Sequence, residues 1–430
     1  MAACGMTRLP TFIFVFFLLS SLDQTAGARS GERRQAIHGG RSAGGGGANG
    51  VRESAAAGVV GICASVVIPS GYECQEFTVE TQDGYILSLQ RIPGGRNGGG
   101  AAARGRKQPV LLQHGVLMDG MTWLLNSPAQ SLAYVLADAG FDVWIANTRG
   151  TRWSRRHVSL NPSSPAFWNW SWDELVLHDL PTTFDFVYRQ TGQKLDYVGH
   201  SMGTLVALAS FSERRLVDKV RSAALLSPVS YLSHMTTPIG ILAARTFLDK
   251  VYTWLGIAEF DPKGLPVTDL LNVLCRNPNI SCYSLMTSFT GTNCCLNEST
   301  VELFLQHEPQ PTSTRTMVHL AQTFRDGNLA KFDYGSRMAN ERHYGQARPP
   351  AYNMSNIPGD LPLFLSYGGQ DSLSNVRDVR LLLADLRTSH DSGKLAVQYV
   401  PNYAHADFVM GTSANRIVYD ALIAFLNSHK

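Results

Sequence analysis

The chain has 430 residues, of which 44% are hydrophobic and 17% charged. That balance supports a folded core and excludes a globally disordered chain. A formal net charge of +3 gives no electrostatic basis for a nucleic-acid or strongly acidic partner.

At the N-terminus, Arg8 precedes the apolar run TFIFVFFLLSSL (residues 11–22), and Ala26 and Ala28 follow. A basic residue, a short apolar run and a small-x-small site read as a secretory signal over residues 1–28. No other run reaches the roughly 18 apolar residues of a membrane span, so none is expected in the mature chain. Residues 29–58 are Gly/Ala-rich and read as a flexible leader.

The ordered part is expected to begin near Val59. EFTVETQDGYILSLQRI (76–92) alternates apolar and polar residues on both sides of Asp83-Gly84, a hairpin pattern. GGRNGGGAAARGRK (94–107) reads as an expanded, solvated hairpin loop. Short apolar runs follow at 109–113, 141–146, 195–198, 222–227, 362–368 and 395–400. Such runs fit parallel strands covered on both faces. Helical patterns lie among them at 131–140, 178–192, 375–387 and 415–427, with Gly140 and Gly192 as C-terminal caps. An entry hairpin followed by alternating strands and helices predicts an α/β fold, a mainly parallel sheet flanked by helices. Residues 229–358 break the rhythm and read as an inserted, mostly helical cap. The core is then built from 59–228 and 359–430.

Seven cysteines are present, and setting aside Cys4 in the signal leaves six: Cys63, Cys74, Cys275, Cys282, Cys294 and Cys295. An even number in an exported chain predicts disulfides. Cys63 with Cys74 and at least one bond among the other four are expected, out of 15 possible connectivities. No C-x2-C pair or H-x3-H partner supports zinc. Sequons at Asn169, Asn279, Asn297 and Asn353 are candidate glycosylation sites.

GHSMG (199–203) lies between the strand run LDYV and the helix-like run MGTLVALAS. A serine raised on a strand-to-helix turn needs small neighbours, which Gly199 and Gly203 supply. Ser201 is therefore the candidate nucleophile, and it requires a base. In such folds the chain order is serine, acid, histidine. Asp371 follows the 362–368 run and His405 follows the 395–400 run, both at strand ends where active-site groups collect. An oxyanion needs two donors. The N–H of Met202 is one; the N–H of Val116, after His114-Gly115, is the other, with Leu117 as the fallback.

TQDGYILSLQRIP, LLQHGVLMDGMTWLLN, GFDVWIANTRGTRWSR, FWNWSWDELVLHDLP, YVGHSMGT, GGQDSL and NYAHADF together resemble the acid lipase family of α/β-hydrolases. The likeness covers roughly Val59 to the C-terminus and is nearest to the plant triacylglycerol lipase-like branch. It implies an α/β-hydrolase fold with a lid-bearing cap, and a Ser201–His405–Asp371 triad. It also implies hydrolysis of neutral lipid esters, triacylglycerols and in some members steryl esters, at a membrane or droplet surface. No cofactor or metal is needed for that chemistry, and the destination would be secretion or a vacuole or lysosome. The leader and the 94–107 loop depart from the family pattern, and adjacent Cys294-Cys295 leaves its usual cap disulfide open. Trp168, Trp170 and Trp172 read as packing residues, with a lipid-facing stripe as the alternative. Arg149, Arg152, Arg155, Arg156 and His157 read as ion-pair partners of Asp173 and Glu174, with contact to anionic lipid head groups as the alternative. An acyltransferase and a non-catalytic lipid-binding homologue are the rival functions.

Overall fold

A computed structural model describes residues 61–96, 106–237, 240–241, 244–245, 257–262 and 282–429. The signal, the leader, Cys275 and Asn279 lie outside the described residues. The strands are β1 (Gln75–Glu80), β2 (Ile86–Ile92), β3 (Pro109–Gln113), β4 (Asp142–Ala146), β5 (Leu195–His200) and β6 (Val220–Leu226), then β7 (Glu259–Phe260), β8 (Thr312–Ser313), β9 (Leu363–Gly368) and β10 (Leu395–Val400). Eight of them form one sheet in the order β1-β2-β4-β3-β5-β6-β9-β10, and β7 pairs with β8 separately. The β1–β2 and β2–β4 pairs are antiparallel and the rest of the large sheet is parallel.

The apolar runs form these strands because successive side chains feed opposite faces, and each face has its own core. Trp144, Tyr197, Ala223 and Leu225 lie in one core. Val143, Ile145, Val198, Ala224 and Leu226 lie in the other. β10 is the exception. It is the last strand of the sheet and its burial alternates, with Val397 and Tyr399 exposed. An edge strand has one neighbour and less cover than the fully buried strand expected there.

The helices Leu132–Asp138, Leu180–Thr191, Val376–Arg387 and Asp420–Asn427 occupy the expected positions. Gly192 caps the second in the left-handed region, at φ +65°, with its N–H on the Tyr188 carbonyl. The 94–107 stretch corrects the sequence reading: it joins β2 to β3, but β4 lies between them. It is a connection past a strand, not a hairpin loop.

β6 and β9 are neighbours, with Ala223 opposite Leu363. The chain between them is therefore an excursion from one sheet position to the next. It carries helices Cys282–Thr290, Glu298–His307, Thr314–Asp326 and Arg337–Tyr344. Its final part returns to the sheet, where Leu329, Tyr352, Met354 and Ile357 join the first core.

The three tryptophans are packing residues. Trp168 and Trp170 are each 2% exposed and Trp172 is fully buried. Trp172 stacks on His319 with ring centroids 4.0 Å apart. The arginine cluster does pair, but not with the acids that follow it. Arg149 binds Asp83 at 2.6 Å and Asp179 at 2.6 Å, Arg152 binds Asp119 at 2.8 Å, and Arg155 binds Glu259 at 2.6 Å. Asp173 and Glu174 are already engaged. Glu174 closes a capping box on Ser171, and Asp173 accepts from Tyr352 Oη and the Phe332 N–H.

The Arg149 guanidinium is fully buried between two carboxylates and lies 3.9 Å over the Tyr85 ring. Removing one partner from such a cluster strands charge in the interior. Arg149→Ala is expected to destabilise the fold by about 3–5 kcal/mol, read as a lowered midpoint of urea unfolding.

Candidate active site

The loops after β3, β5, β9 and β10 converge at the C-terminal ends of the parallel strands. Ser201 sits between β5 and the helix Met202–Ser212, with φ +54° and ψ −122°. That backbone region is unfavourable for a residue with a side chain. Packing leaves no alternative. A Cβ on Gly203 would stand 2.5 Å from the Gln113 carbonyl, and one on Gly199 would stand 2.9 Å from the Gly203 backbone. The helix can therefore start hard against β3 only with glycine at both places. Hydrogen bonds fix the turn: the Ser201 N–H donates to the Leu226 carbonyl at 3.2 Å, and Thr204 Oγ1 donates to the Ser201 carbonyl at 2.6 Å.

Asp371 and His405 are brought together. His405 Nδ1 lies 2.9 Å from Asp371 Oδ2 and 3.1 Å from Oδ1. Asp371 Oδ1 also accepts from the N–H groups of Leu373 and Ser374 at 2.9 and 2.8 Å. Burial by itself would raise this carboxyl. The charge and hydrogen bond of His405, with those two backbone donors, outweigh it and hold Asp371 below the ordinary range. Asp371 is thus an ionised acceptor that orients the His405 ring through Nδ1.

Gly115 joins the β3 loop to the serine. A Cβ there would lie 2.9 Å from Ser201 Cβ and 3.3 Å from its Oγ. His114 locks this loop from beneath: its Nε2 accepts from the Thr148 N–H at 3.1 Å, and Nδ1 lies 2.8 Å from the Gly115 carbonyl. Val116 and Met202, the two candidate oxyanion donors, therefore belong to segments flanking Ser201. Leu117 has φ +59°, so the loop after Val116 turns sharply.

His200 is explained by its neighbours. It is fully buried, and its Nε2 lies 3.0 Å from the His405 carbonyl. Burial, and then the nearby His405, push its imidazole down to about 3. It stays neutral at any working pH and supports the His405 backbone.

Sequence reasoning missed the contribution of the 229–358 insertion. The Thr290 carbonyl accepts from the His405 N–H at 3.2 Å and the Ser372 N–H at 3.4 Å. Gly291 bridges to Asp371. It has φ +97°, and a Cβ would stand 2.0 Å from the Gln370 carbonyl. Gly291 within TGT was the one available signal. Downstream, Asp407 accepts from the N–H groups of Cys294, Cys295 and Ala404 at 3.2, 3.1 and 2.7 Å.

Cys63 and Cys74 form a disulfide, as expected, and Cys294 bonds to Cys295. Cys275 lies outside the described residues, and the Cys282 side chain is not described. Asn169, Asn297 and Asn353 are exposed. Asn297 and Asn353 cap short helices by accepting from the N–H two residues on.

A serine on a strained strand-to-helix turn, with an Asp–His pair at later strand ends of a largely parallel sheet, defines an α/β-hydrolase. Residues 63–127 match a family model for the partial α/β-hydrolase lipase region, and residues 108–409 match one for the α/β hydrolase fold. Triacylglycerol lipase 2 of Arabidopsis thaliana is 59% identical over 365 residues, spanning 85% of this chain and 87% of that protein. Gastric triacylglycerol lipase of Homo sapiens is 35% identical over 370 residues, spanning 84% and 89%. The solved structure of a soluble variant of Saccharomyces cerevisiae monoglyceride lipase, bound to a substrate analogue, superposes with a TM-score of 0.53 at 16% identity. It covers 84% of this chain and 96% of that one, a likeness of fold alone. The chain belongs to the acid lipase family of α/β-hydrolases.

Because His200 supports His405 without titrating, His200→Phe is expected to lower kcat by roughly ten- to a hundredfold through misplacement of the base. The acid limb of the pH–rate profile should keep its midpoint. A displaced midpoint would make His200 a titrating participant.

Proposed function

We propose that this protein hydrolyses carboxylic esters of neutral lipids through a Ser201–His405–Asp371 triad. The observation that carries this is the Asp371–His405 hydrogen-bonded pair, held at strand ends beside a serine in a strained turn. His405 takes the Ser201 proton as Oγ bonds to the ester carbonyl carbon. The N–H groups of Met202 and Val116 receive the oxyanion. Collapse breaks the ester bond, and His405 returns the proton to the departing alcohol. Water then attacks the acyl-enzyme with His405 again as base, releasing the fatty acid and restoring Ser201.

Triacylglycerol is the first substrate to test, because relatives spanning most of this chain are named triacylglycerol lipases. Steryl esters are the second. The 229–358 insertion serves as the cap over the site, and its contacts through Thr290 and Gly291 support that role. Among the described residues no helix is long and apolar enough to cross a membrane. Access to lipid would then come by docking at a membrane or droplet surface. The N-terminal signal directs the chain to secretion or to a vacuole or lysosome, with Asn169, Asn279, Asn297 and Asn353 as glycan acceptors.

Ser201→Ala is expected to abolish release of fatty acid from emulsified triacylglycerol and from a short-chain ester, and to prevent labelling by a fluorophosphonate, with unfolding unchanged. Turnover by that variant would overturn the assignment. Asp371→Asn should lower kcat by about 10⁴-fold. It should also flatten acid denaturation. A depressed carboxyl stabilises the fold above its unfolded value of about 3.9 and loses that contribution as pH falls through its lower folded value.

A further inference from the structure

The turn that follows Val116 is held from the side of the insertion by one short segment, residues 308–310. The Gln310 N–H donates to the Leu117 carbonyl at 2.8 Å. Glu308 Oε1 accepts from the Asp119 N–H at 3.0 Å. Gln310 Oε1 accepts from the Arg152 N–H at 3.0 Å, and Arg152 Nε reaches Asp119 Oδ2 at 2.8 Å. Asp119 Oδ1 in turn caps the next turn through the Met121 N–H at 2.8 Å. Leu117 lies at φ +59° in the middle of this lattice. A left-handed non-glycine residue persists only where its surroundings over-determine it, and residues 308–310 supply those surroundings.

We infer that Glu308 is a positioning residue for the oxyanion loop: its buried carboxyl, acting as a neutral acid, holds Asp119 and so fixes the turn that aims the Val116 N–H at the reacting carbonyl. This rests on Val116 as an oxyanion donor. Glu308 and Asp119 are both fully buried. Glu308 Oε2 has no hydrogen-bond partner among the described residues. Its neighbour Asp119 pairs with Arg152 Nε at 2.8 Å, and two carboxylates this close would repel without water to screen them. A proton on Glu308 removes that repulsion. Burial, then the Asp119 charge, push the Glu308 carboxyl well above the ordinary glutamate range. The charged and titratable groups facing this pair are Arg152, the buried His114 imidazole, which feels the Asp119 charge, and, through Arg152 Nη1 at 3.0 Å, His307.

The test measures kcat and KM on p-nitrophenyl butyrate across pH, per site titrated with a fluorophosphonate. Glu308→Ala should lower kcat by about 10- to 100-fold while KM stays within about twofold, since a misaimed donor weakens transition-state binding. Glu308→Gln keeps the acceptor and the neutral charge and should retain wild-type kcat. It should also remove an alkaline fall in activity caused by ionisation of Glu308. Should Glu308→Ala not fold, Glu308→Asp replaces it, with the carboxyl withdrawn by one methylene and the same loss of kcat expected. Wild-type kcat in the Ala or Asp variant, a Gln variant as impaired as they are, or an unaltered alkaline limb in the Gln variant would overturn the inference. Ser201→Ala run in parallel separates the two levels. Activity there undoes the triad reading itself, whereas an inert Ser201→Ala beside a fully active Glu308→Ala removes only the positioning role.

Discussion

Ser201 holds a backbone conformation that costs a non-glycine residue of order 1–3 kcal/mol, and the close approach of its helix to β3 is what sustains it. Gly203 meets the Gln113 carbonyl where any side chain would collide, and Gly199 meets Gly203 in the same way. The chain can pass from β5 into the helix only by turning sharply at Ser201. The same contact fixes the β3 loop, because Gln113 is the last residue of β3 and Gly115 lies against the serine two residues on. The serine turn and the β3 loop are thus set by one steric constraint. Tertiary packing over-determines the turn, so the strain persists in the folded protein and keeps the hydroxyl raised.

Asp371 and His405 are positioned differently, by hydrogen bonds that cross from the segment between β6 and β9 to the loops at the end of the sheet. Thr290 binds the N–H groups of both Ser372 and His405, so one carbonyl ties the acid loop to the base loop. Asp407 then anchors the segment carrying Cys294 and Cys295 to the stretch just after His405. The segment between β6 and β9 is consequently part of the framework that holds Asp371 and His405. A displacement of residues 290–296 would therefore reach both His405 and Asp371.

What could be read from the sequence was whatever depends on residue type near in the chain. Buried strands are visible as apolar runs because Trp144 and Val143, or Tyr197 and Val198, supply opposite cores. Asp371 and His405 are visible because each follows such a run. The partners of Arg149 were not, since Asp83 lies 66 residues away and Asp179 lies 30 away. The nearer acids had been taken by a helix cap and a buried tyrosine. The Thr290 contacts use a backbone carbonyl, which every residue possesses and no sequence pattern marks. Strand order was hidden for a related reason. Nothing in residues 94–107 indicates that β4 will come to lie between β2 and β3. The half-exposure of β10 follows from its place at the edge, which its composition alone does not reveal.

Two histidines with ring centroids 4.8 Å apart illustrate how environment and not identity assigns a role. Both are buried, and both lie next to the serine turn or on the loop facing it. His405 has an ionised carboxylate on Nδ1, so a proton gained at Nε2 is stabilised as it arrives. His200 has no carboxylate partner; its Nε2 points to a backbone carbonyl and its Nδ1 has no partner among the described residues. Charging it would place a cation in an apolar interior beside a second imidazole. It can therefore hold the His405 backbone while its own ring stays neutral. His200 adjoins Ser201 in the chain, but a base needs a counter-charge when it becomes protonated, and within this site Asp371 provides one only to His405.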